Sequence, residues 1–190
     1  MSAKWTWNKC FTYPKSKRQV LEGLRHYDVV DGLLPSVTTI LSDTKSEEKL
    51  ASLQRWRERV GQDEATRITD QSGQRGTIMH NYLEGYLKGQ NRLDLSPVGV
   101  TAGGMATKVM EEGVFDKLTE IWGSEVVLFY PGLYAGQTDV VGIYEDEQSI
   151  VDFKQSNKPK KREWIDDYFM QSAAYAIAHN QIYGTNITKG

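Results

Sequence analysis

The clearest pattern of apolar and polar positions lies between residues 136 and 154. Two apolar runs rich in β-branched residues, at 138–144 and 149–153, flank an acidic cluster at 145–147. Short apolar runs separated by a polar turn are typical of a β-hairpin. The pattern therefore predicts two antiparallel strands that are joined at the acidic cluster.

The predicted hairpin brings two carboxylates together. If its turn has two residues, Tyr144 pairs with Glu147, and Asp139 lies directly opposite Asp152. A longer turn shifts this pairing by one step and leaves the two aspartates near neighbours. Because side chains alternate across a strand, Asp152 and Lys154 share one face.

Two carboxylates so close repel each other unless a cation lies between them. A hard divalent ion such as Mg2+ takes oxygen ligands and keeps several waters. Lys154 could then stabilise a negative transition state or position an attacking water. The alternative is an ordinary hairpin, because Asp-x-Lys is a short motif that also occurs at residues 43–45.

Hydrophobic periodicity elsewhere predicts helices at 46–60, 74–87, 105–122 and 163–183. A strand at 124–130 precedes the hairpin, so three consecutive strands form a meander. Alternation along that strand predicts two faces, one with Val126, Leu128 and Tyr130 and the other with Glu125, Val127 and Phe129.

The remaining segments are less regular. Residues 1–30 fit either a short hairpin or a partly disordered arm, and residues 89–104 form the longest irregular stretch. Ser36 is a suitable N-cap for a short helix at 37–41.

Composition indicates one soluble globular domain of 190 residues with a net charge of −2. Cys10 is the only cysteine, which excludes an internal disulfide and a cysteine-built metal site. The sequence has no apolar run of about 18 residues and no apolar N-terminal core. We therefore expect no membrane span, no signal peptide and a cytoplasmic location.

Three further groups carry candidate chemistry. His80, on one face of the predicted helix 74–87, is either a hydrogen-bonded core residue or a metal or phosphate contact. The last predicted helix has a stripe of aromatic and polar residues at three- and four-residue spacing, which indicates either core packing or a site-facing surface. Four cations fall within five positions after the hairpin, either as an exposed loop or as a phosphodiester contact: Lys158, Lys160, Lys161 and Arg162.

The order of these motifs resembles the PD-(D/E)XK nuclease superfamily, in its RecB-like exonuclease branch. The matching features are G-x-x-x-H at 76–80, Asp139 after a glycine, Asp152 with Lys154, and Q-x-x-x-Y at 171–175. With the stretch Y-x-x-x-D-G-x-L-P-S-V-T-T-I-L that begins at residue 27, they look most like the mitochondrial genome maintenance exonuclease group and its phage relatives. The resemblance covers roughly residues 27–185.

The resemblance implies a role for each matching residue. Asp139 and Asp152 would bind Mg2+ (or Mn2+), with the backbone carbonyl of Phe153 as a further ligand. Lys154 would orient or activate water, and His80 would complete the metal or phosphate environment.

Other residues would support this site. Gln171 and Tyr175 would brace it or contact DNA, together with the basic segment 158–162. Glu125 would be either a second-layer carboxylate or merely exposed.

The resemblance also implies an α/β (α+β) fold with a restriction-endonuclease-like core. A central mixed sheet would begin with the three-strand meander and carry flanking helices. The family usually has a further strand after the Q-x-x-x-Y helix, and this sequence stops where that strand would begin. The sheet is therefore smaller, or the chain is a fragment, or a second polypeptide completes the sheet.

The implied function is a metal-dependent DNA exonuclease that hydrolyses phosphodiester bonds, with a preference for single-stranded or frayed ends. One alternative is a structure-selective endonuclease of the same fold. Another is a non-catalytic DNA-binding part of a larger nuclease assembly.

Overall fold

The computed structural model describes residues 5–190, which divide into two compact units. The first unit contains the described residues up to Ser42 together with Gly113–Gly190, and the second contains Asp43–Glu112. The helical second unit is thus inserted between two parts of the first. None of the described helices is both long enough and apolar enough to cross a membrane.

The first unit is built on two sheets. Its strands are β1 (Thr6–Trp7), β2 (Arg18–Leu21), β3 (Leu24–Val29), β4 (Gly32–Pro35), β5 (Leu118–Tyr130), β6 (Tyr134–Tyr144) and β7 (Glu147–Val151), and its helices are α1 (Val37–Asp43) and α5 (Asp166–Tyr183). The larger sheet has the order β1-β5-β6-β7, with β1 parallel to β5 and the other neighbours antiparallel. This mixed sheet confirms the predicted α+β fold with its three-strand meander.

The segment at 1–30 that the sequence left undecided contributes to both sheets within its described part. β1 pairs with β5, while β2 and β3 form a three-stranded antiparallel sheet with β4. Ser36 caps α1 as predicted, because its Oγ accepts a hydrogen bond from the Thr39 N–H at 3.0 Å.

The two predicted faces of β5 are confirmed by their packing. One face joins the three-stranded sheet in a core cluster, and the other packs with α5 in a second cluster. The first cluster contains Tyr27, Val29, Leu34, Val127, Phe129 and Ala135. The second contains Leu128, Val141, Ile150, Tyr175, Ala176 and Ala178, with Val126 and Tyr130 against it.

The predicted hairpin register is confirmed. Tyr144 pairs with Glu147 across a two-residue turn whose backbone φ angles are +50° at Glu145 and +63° at Asp146. Two positive φ angles are the signature of a type I′ turn, whose twist matches that of the flanking strands.

The predicted helix at 105–122 is wrong in both of its bounds, since only residues 105–111 of that range are α-helical. The helix α4 runs from Pro97 to Glu111, and the chain then turns at Gly113, whose φ is +76°. β5 has already begun at Leu118. Part of the segment predicted to be irregular, at 89–104, is therefore helical. Ser96 caps this helix, because its Oγ accepts a hydrogen bond from the Gly99 N–H at 3.0 Å, and Pro97 suits the first helical position.

The second unit consists of three helices, α2 (Glu47–Val60), α3 (Gln62–Leu87) and α4. α2 matches the predicted helix, whereas α3 begins at Gln62 rather than at residue 74. Gly61 separates the two helices with a φ of +88°. The buried apolar core of this unit is Ala65, Met79, Leu83, Leu87, Ala102 and Ala106.

α5 begins three residues later than predicted, after a 3-10 turn at Arg162–Trp164. The residues that follow α5 lie beside the outer strand β7. There the Ile150 N–H donates to the Lys189 carbonyl at 3.0 Å, next to the parallel bridge Ser149↔Lys189. Among the described residues, this single bridge is the only pairing on that side of β7. It lies where the sequence resemblance implied a further strand.

Candidate metal centre

Two carboxylates face each other across β5 and β6. The neighbouring pair Ser124↔Val140 places Glu125 directly opposite Asp139, and a carboxylate oxygen of each lies within 4.8 Å of the other. Asp139 is buried, with 6% of its surface exposed. Two carboxylates at this spacing, one of them buried, favour a bound cation, and their oxygens are the ligands that Mg2+ and Mn2+ prefer.

Glu125 has a backbone conformation that fixes where its side chain lies. Its φ is +53°, in the left-handed region that residues other than glycine rarely adopt. The Gln137 amide donates to the Glu125 carbonyl at 3.2 Å and to its carboxylate at 2.6 Å. Strain of this kind persists where the surrounding structure holds it, and it clusters at functional sites.

Sequence reasoning left Glu125 open between a supporting and an exposed role, and the structure brings it beside Asp139. The sequence pattern did not single out Gln137. The alternation of side chains could have indicated both residues. Gln137 and Asp139 are two positions apart on β6 and so share a face, and Glu125 lies opposite Asp139 once the register of β5 and β6 is known.

Asp152 and Lys154 lie just past the end of β7 and form an ion pair. The Asp152 side chain is 10% exposed and that of Lys154 is 31% exposed. Extending the pair Val140↔Val151 by one step places Asp152 opposite Asp139. Lys154 is therefore held at the carboxylate side of the hairpin by its own acidic neighbour.

Phe153 ties this segment to Asp139. Its backbone N–H donates to Asp139 Oδ2 at 2.5 Å, and its buried ring packs against Phe115 with the ring centroids 5.7 Å apart. A carboxylate that accepts from a buried N–H is fixed in orientation and favoured in its charged form.

Gln171 and Tyr175 are both buried on α5 and bonded to each other. The Gln171 Nε2 donates to the Tyr175 hydroxyl at 2.9 Å. Burial raises the pKa of Tyr175 above its ordinary value, and the nearby carboxylates of Asp152 and Asp139 raise it further. The hydroxyl therefore stays protonated and neutral beside the acidic residues.

The basic segment 158–162 lies between β7 and α5, and its side chains are exposed. Lys160 donates to the Tyr168 hydroxyl. Arg162 pairs with Asp166 at 2.5 Å and lies 4.0 Å from the ring centroid of Phe169. These contacts fix the segment against the start of α5 while its charges remain accessible to solvent.

His80 belongs to the second unit. It lies half-buried on α3, next to the buried Met79 and one turn from the buried Leu83. Its role as a ligand stays a prediction from the sequence.

No family model matches the chain. The chain is, however, similar to proteins named mitochondrial genome maintenance exonuclease 1. Identity is 26% over 168 residues for the Homo sapiens protein, 30% over 169 residues for that of Mus musculus and 28% over 172 residues for that of Xenopus tropicalis. The matches cover 83–85% of this chain but 48% of each relative, so the chain spans about half the length of the curated relatives it matches. At this level, the similarity supports a nuclease family and nothing finer.

Proposed function

We propose that this protein is a divalent-metal-dependent DNA exonuclease. The observation that carries the proposal is the approach of the half-buried Glu125 and the buried Asp139, whose carboxylate oxygens lie within 4.8 Å of each other. The ion pair of Asp152 and Lys154 lies at the neighbouring strand end. The name of the relatives, which describes an exonuclease, supports the same chemistry.

The donor set suits one or two Mg2+ or Mn2+ ions. Glu125, Asp139 and Asp152 would supply carboxylate oxygens, and the sequence resemblance adds the Phe153 carbonyl and His80. When bound, such an ion makes water more acidic and offsets the charge that develops on a phosphate.

The other residues would orient the reacting groups. The Lys154 ammonium, held by Asp152, can stabilise negative charge on the phosphate or hold the attacking water by a hydrogen bond. Gln171 and the protonated hydroxyl of Tyr175, which are bonded to each other, would brace the carboxylates from α5.

DNA would be bound through its backbone and bases. Phosphates would contact the exposed cations of the basic segment 158–162. Trp164, which is 57% exposed, offers a face on which a base can stack, worth about 1–3 kcal/mol. Stacking requires unpaired bases, so we expect single-stranded or frayed ends to be preferred.

Cleavage of end-labelled linear single-stranded DNA tests the proposal directly. We expect products with Mg2+ or Mn2+ and none with EDTA, and a loss of about 100-fold or more in Asp139→Asn and Lys154→Met. Asp43→Asn is the matched control, because it changes the other Asp-x-Lys motif. The proposal fails if the wild type does not cut, or if Asp139→Asn cuts as fast as the control.

Circular single-stranded DNA separates the related functions. An exonuclease leaves a circle intact, whereas a structure-selective endonuclease linearises it. Tight binding of linear DNA without cleavage would instead indicate a non-catalytic part of a nuclease assembly, and activity restored by a second polypeptide would identify the missing component.

A further inference from the structure

We propose that Tyr168 is a positioning residue for Lys154, an inference that rests on the proposed nuclease function. The Lys154 ammonium lies 5.4 Å from the centroid of the Tyr168 ring. The Lys160 ammonium lies 4.9 Å from the same centroid and also donates to the Tyr168 hydroxyl. One aromatic side chain thus contacts both the candidate catalytic lysine and the basic segment.

The ring is well placed to restrict the lysine. Tyr168 lies in the first turn of α5, half-buried, so the helix fixes its position. Lysine has a long flexible stem and a compact charge, and the ring face attracts that charge. Lys154 is otherwise tethered through Asp152. A second contact on another element reduces the positions that the ammonium can occupy.

The shared ring also connects binding to chemistry. The ammonium groups of Lys154 and Lys160 both lie near the Tyr168 side chain, and because like charges repel, an anion that binds close to both would relieve that repulsion. A phosphate of the DNA strand is such an anion. Tyr168 would therefore hold Lys154 in place for the reaction, while Lys160 contributes to the binding of the strand.

Steady-state kinetics on linear single-stranded DNA separates these roles. Tyr168→Leu should lower kcat about three- to tenfold, with KM changed less than about twofold, because the lost ring contact is worth the usual energy of a cation–π pair. Tyr168→Phe keeps the ring and should retain kcat. Lys160→Gln should mainly raise KM. An unchanged kcat in Tyr168→Leu overturns the proposal, as does an equal loss in Tyr168→Phe.

A measurement that is independent of cleavage checks the contact itself. In the folded wild type, the ring current of Tyr168 should shift the Cε protons of Lys154 upfield in NMR spectra, with Lys154→Arg identifying the signal. The shift should persist in Tyr168→Phe and disappear in Tyr168→Leu. If the wild type cuts DNA without a shifted signal, the positioning role is overturned and the nuclease stands. If the signal is shifted but the protein does not cut, the proposed function fails and the positioning role fails with it.

Discussion

Tyr175 depends on a single glycine across the sheet. A Cβ added at Gly136 would lie 2.6 Å from Tyr175 Cε1 and 2.8 Å from its hydroxyl oxygen. The ring is 2% exposed and bonded to Gln171, so it has no room to move away. Gly136 is therefore the residue that lets the tyrosine lie against the strand that carries Asp139.

Gly136→Ala should destabilise the protein by about 1–3 kcal/mol, the usual cost of overpacking a core, and should lower the proposed nuclease activity because Tyr175 is displaced. Urea unfolding measures the first effect and cleavage of labelled DNA the second. Gly104→Ala is the matched control, since a Cβ there meets nothing within 4 Å on α4 and alanine favours a helix. Equal stability of the two variants would contradict the close contact.

His179 is a buried histidine that sequence reasoning did not single out. Its Nε2 is bonded to the Tyr13 hydroxyl at 3.1 Å and its Nδ1 to Thr185 Oγ1 at 2.8 Å. Burial lowers the pKa of His179 from its ordinary value of 6.5 to about 4. The aromatic rings of Phe11 and Tyr183 pack on the imidazole, with centroids 5.0 Å and 4.6 Å away.

A lowered pKa in the folded state means that the unfolded chain takes up the proton first. The stability due to neutral His179 is thus present above pH 6.5 and is lost as the pH falls towards 4. We expect the unfolding free energy to drop by about 2 kcal/mol between pH 7.5 and 5 from this group. His179→Phe should flatten that dependence, measured by urea unfolding, and His26→Asn should leave it unchanged. A slope that survives in His179→Phe would assign it to another group.

At the level of elements, the turn between β6 and β7 decides whether Asp139 and Asp152 stay opposite each other. Glu145 and Asp146 both have a positive φ, which costs strain for every residue except glycine, although less for asparagine and aspartate than for others. Glu145 also accepts from Lys117 at 2.5 Å and from Lys189 at 2.7 Å. Asp146 is thus the turn position that can be changed without removing these ion pairs.

Asp146→Gly should stabilise the protein by about 0.5–1 kcal/mol, because the relieved left-handed strain, about 1–2 kcal/mol, exceeds the extra backbone entropy that glycine loses on folding, and glycine is preferred at the second position of a type I′ turn. The proposed nuclease activity should be retained, since the register is unchanged. Glu147→Gly is the control, because this neighbour lies in β7 and glycine weakens a strand. Thermal unfolding ranks the variants, and a less stable Asp146→Gly would contradict the turn type.

The sequence predicted this hairpin correctly because alternation and turn composition agree over the whole segment. It failed at 105–122 because apolar spacing there is ambiguous. Register shifts between Leu118 and Glu120 and between Ile121 and Gly123 interrupt the alternation of β5. An irregular strand of this kind, which follows α4 after a 3-10 turn at Val114–Lys117, resembles a continuing helix, because short apolar runs fit both the helical and the strand period.

The positions of the candidate site residues were predictable in part for a related reason. Asp139, Asp152 and Lys154 follow from one hairpin, whose register is a local property. Glu125 depends on the pairing of a third strand and on its own positive φ, which no pattern of residue types reveals. His179 depends on Tyr13, 166 positions away in sequence, and a contact of that range leaves no periodic signal.

At the scale of the whole molecule, the carboxylate pair should link folding to metal binding. Glu125 and Asp139 lie within 4.8 Å of each other, and their mutual repulsion opposes folding when no cation is bound. An ion that binds only the folded protein stabilises it by mass action, by about 2.7 kcal/mol at a hundredfold excess over Kd. For a protein of this size, that corresponds to a rise in Tm of roughly 5–10 °C.

Glu125→Gln separates this linkage from a general effect of salt. Without metal, in EDTA, the variant should have a higher Tm than the wild type, because one of the two repelling charges is gone. With Mn2+ it should show little of the rise expected for the wild type, because a ligand is lost. Glu111→Gln, an exposed change at the end of α4, should respond to Mn2+ as the wild type does. Equal Mn2+ responses in all three proteins would show that Glu125 holds no metal, whether or not the protein cuts DNA.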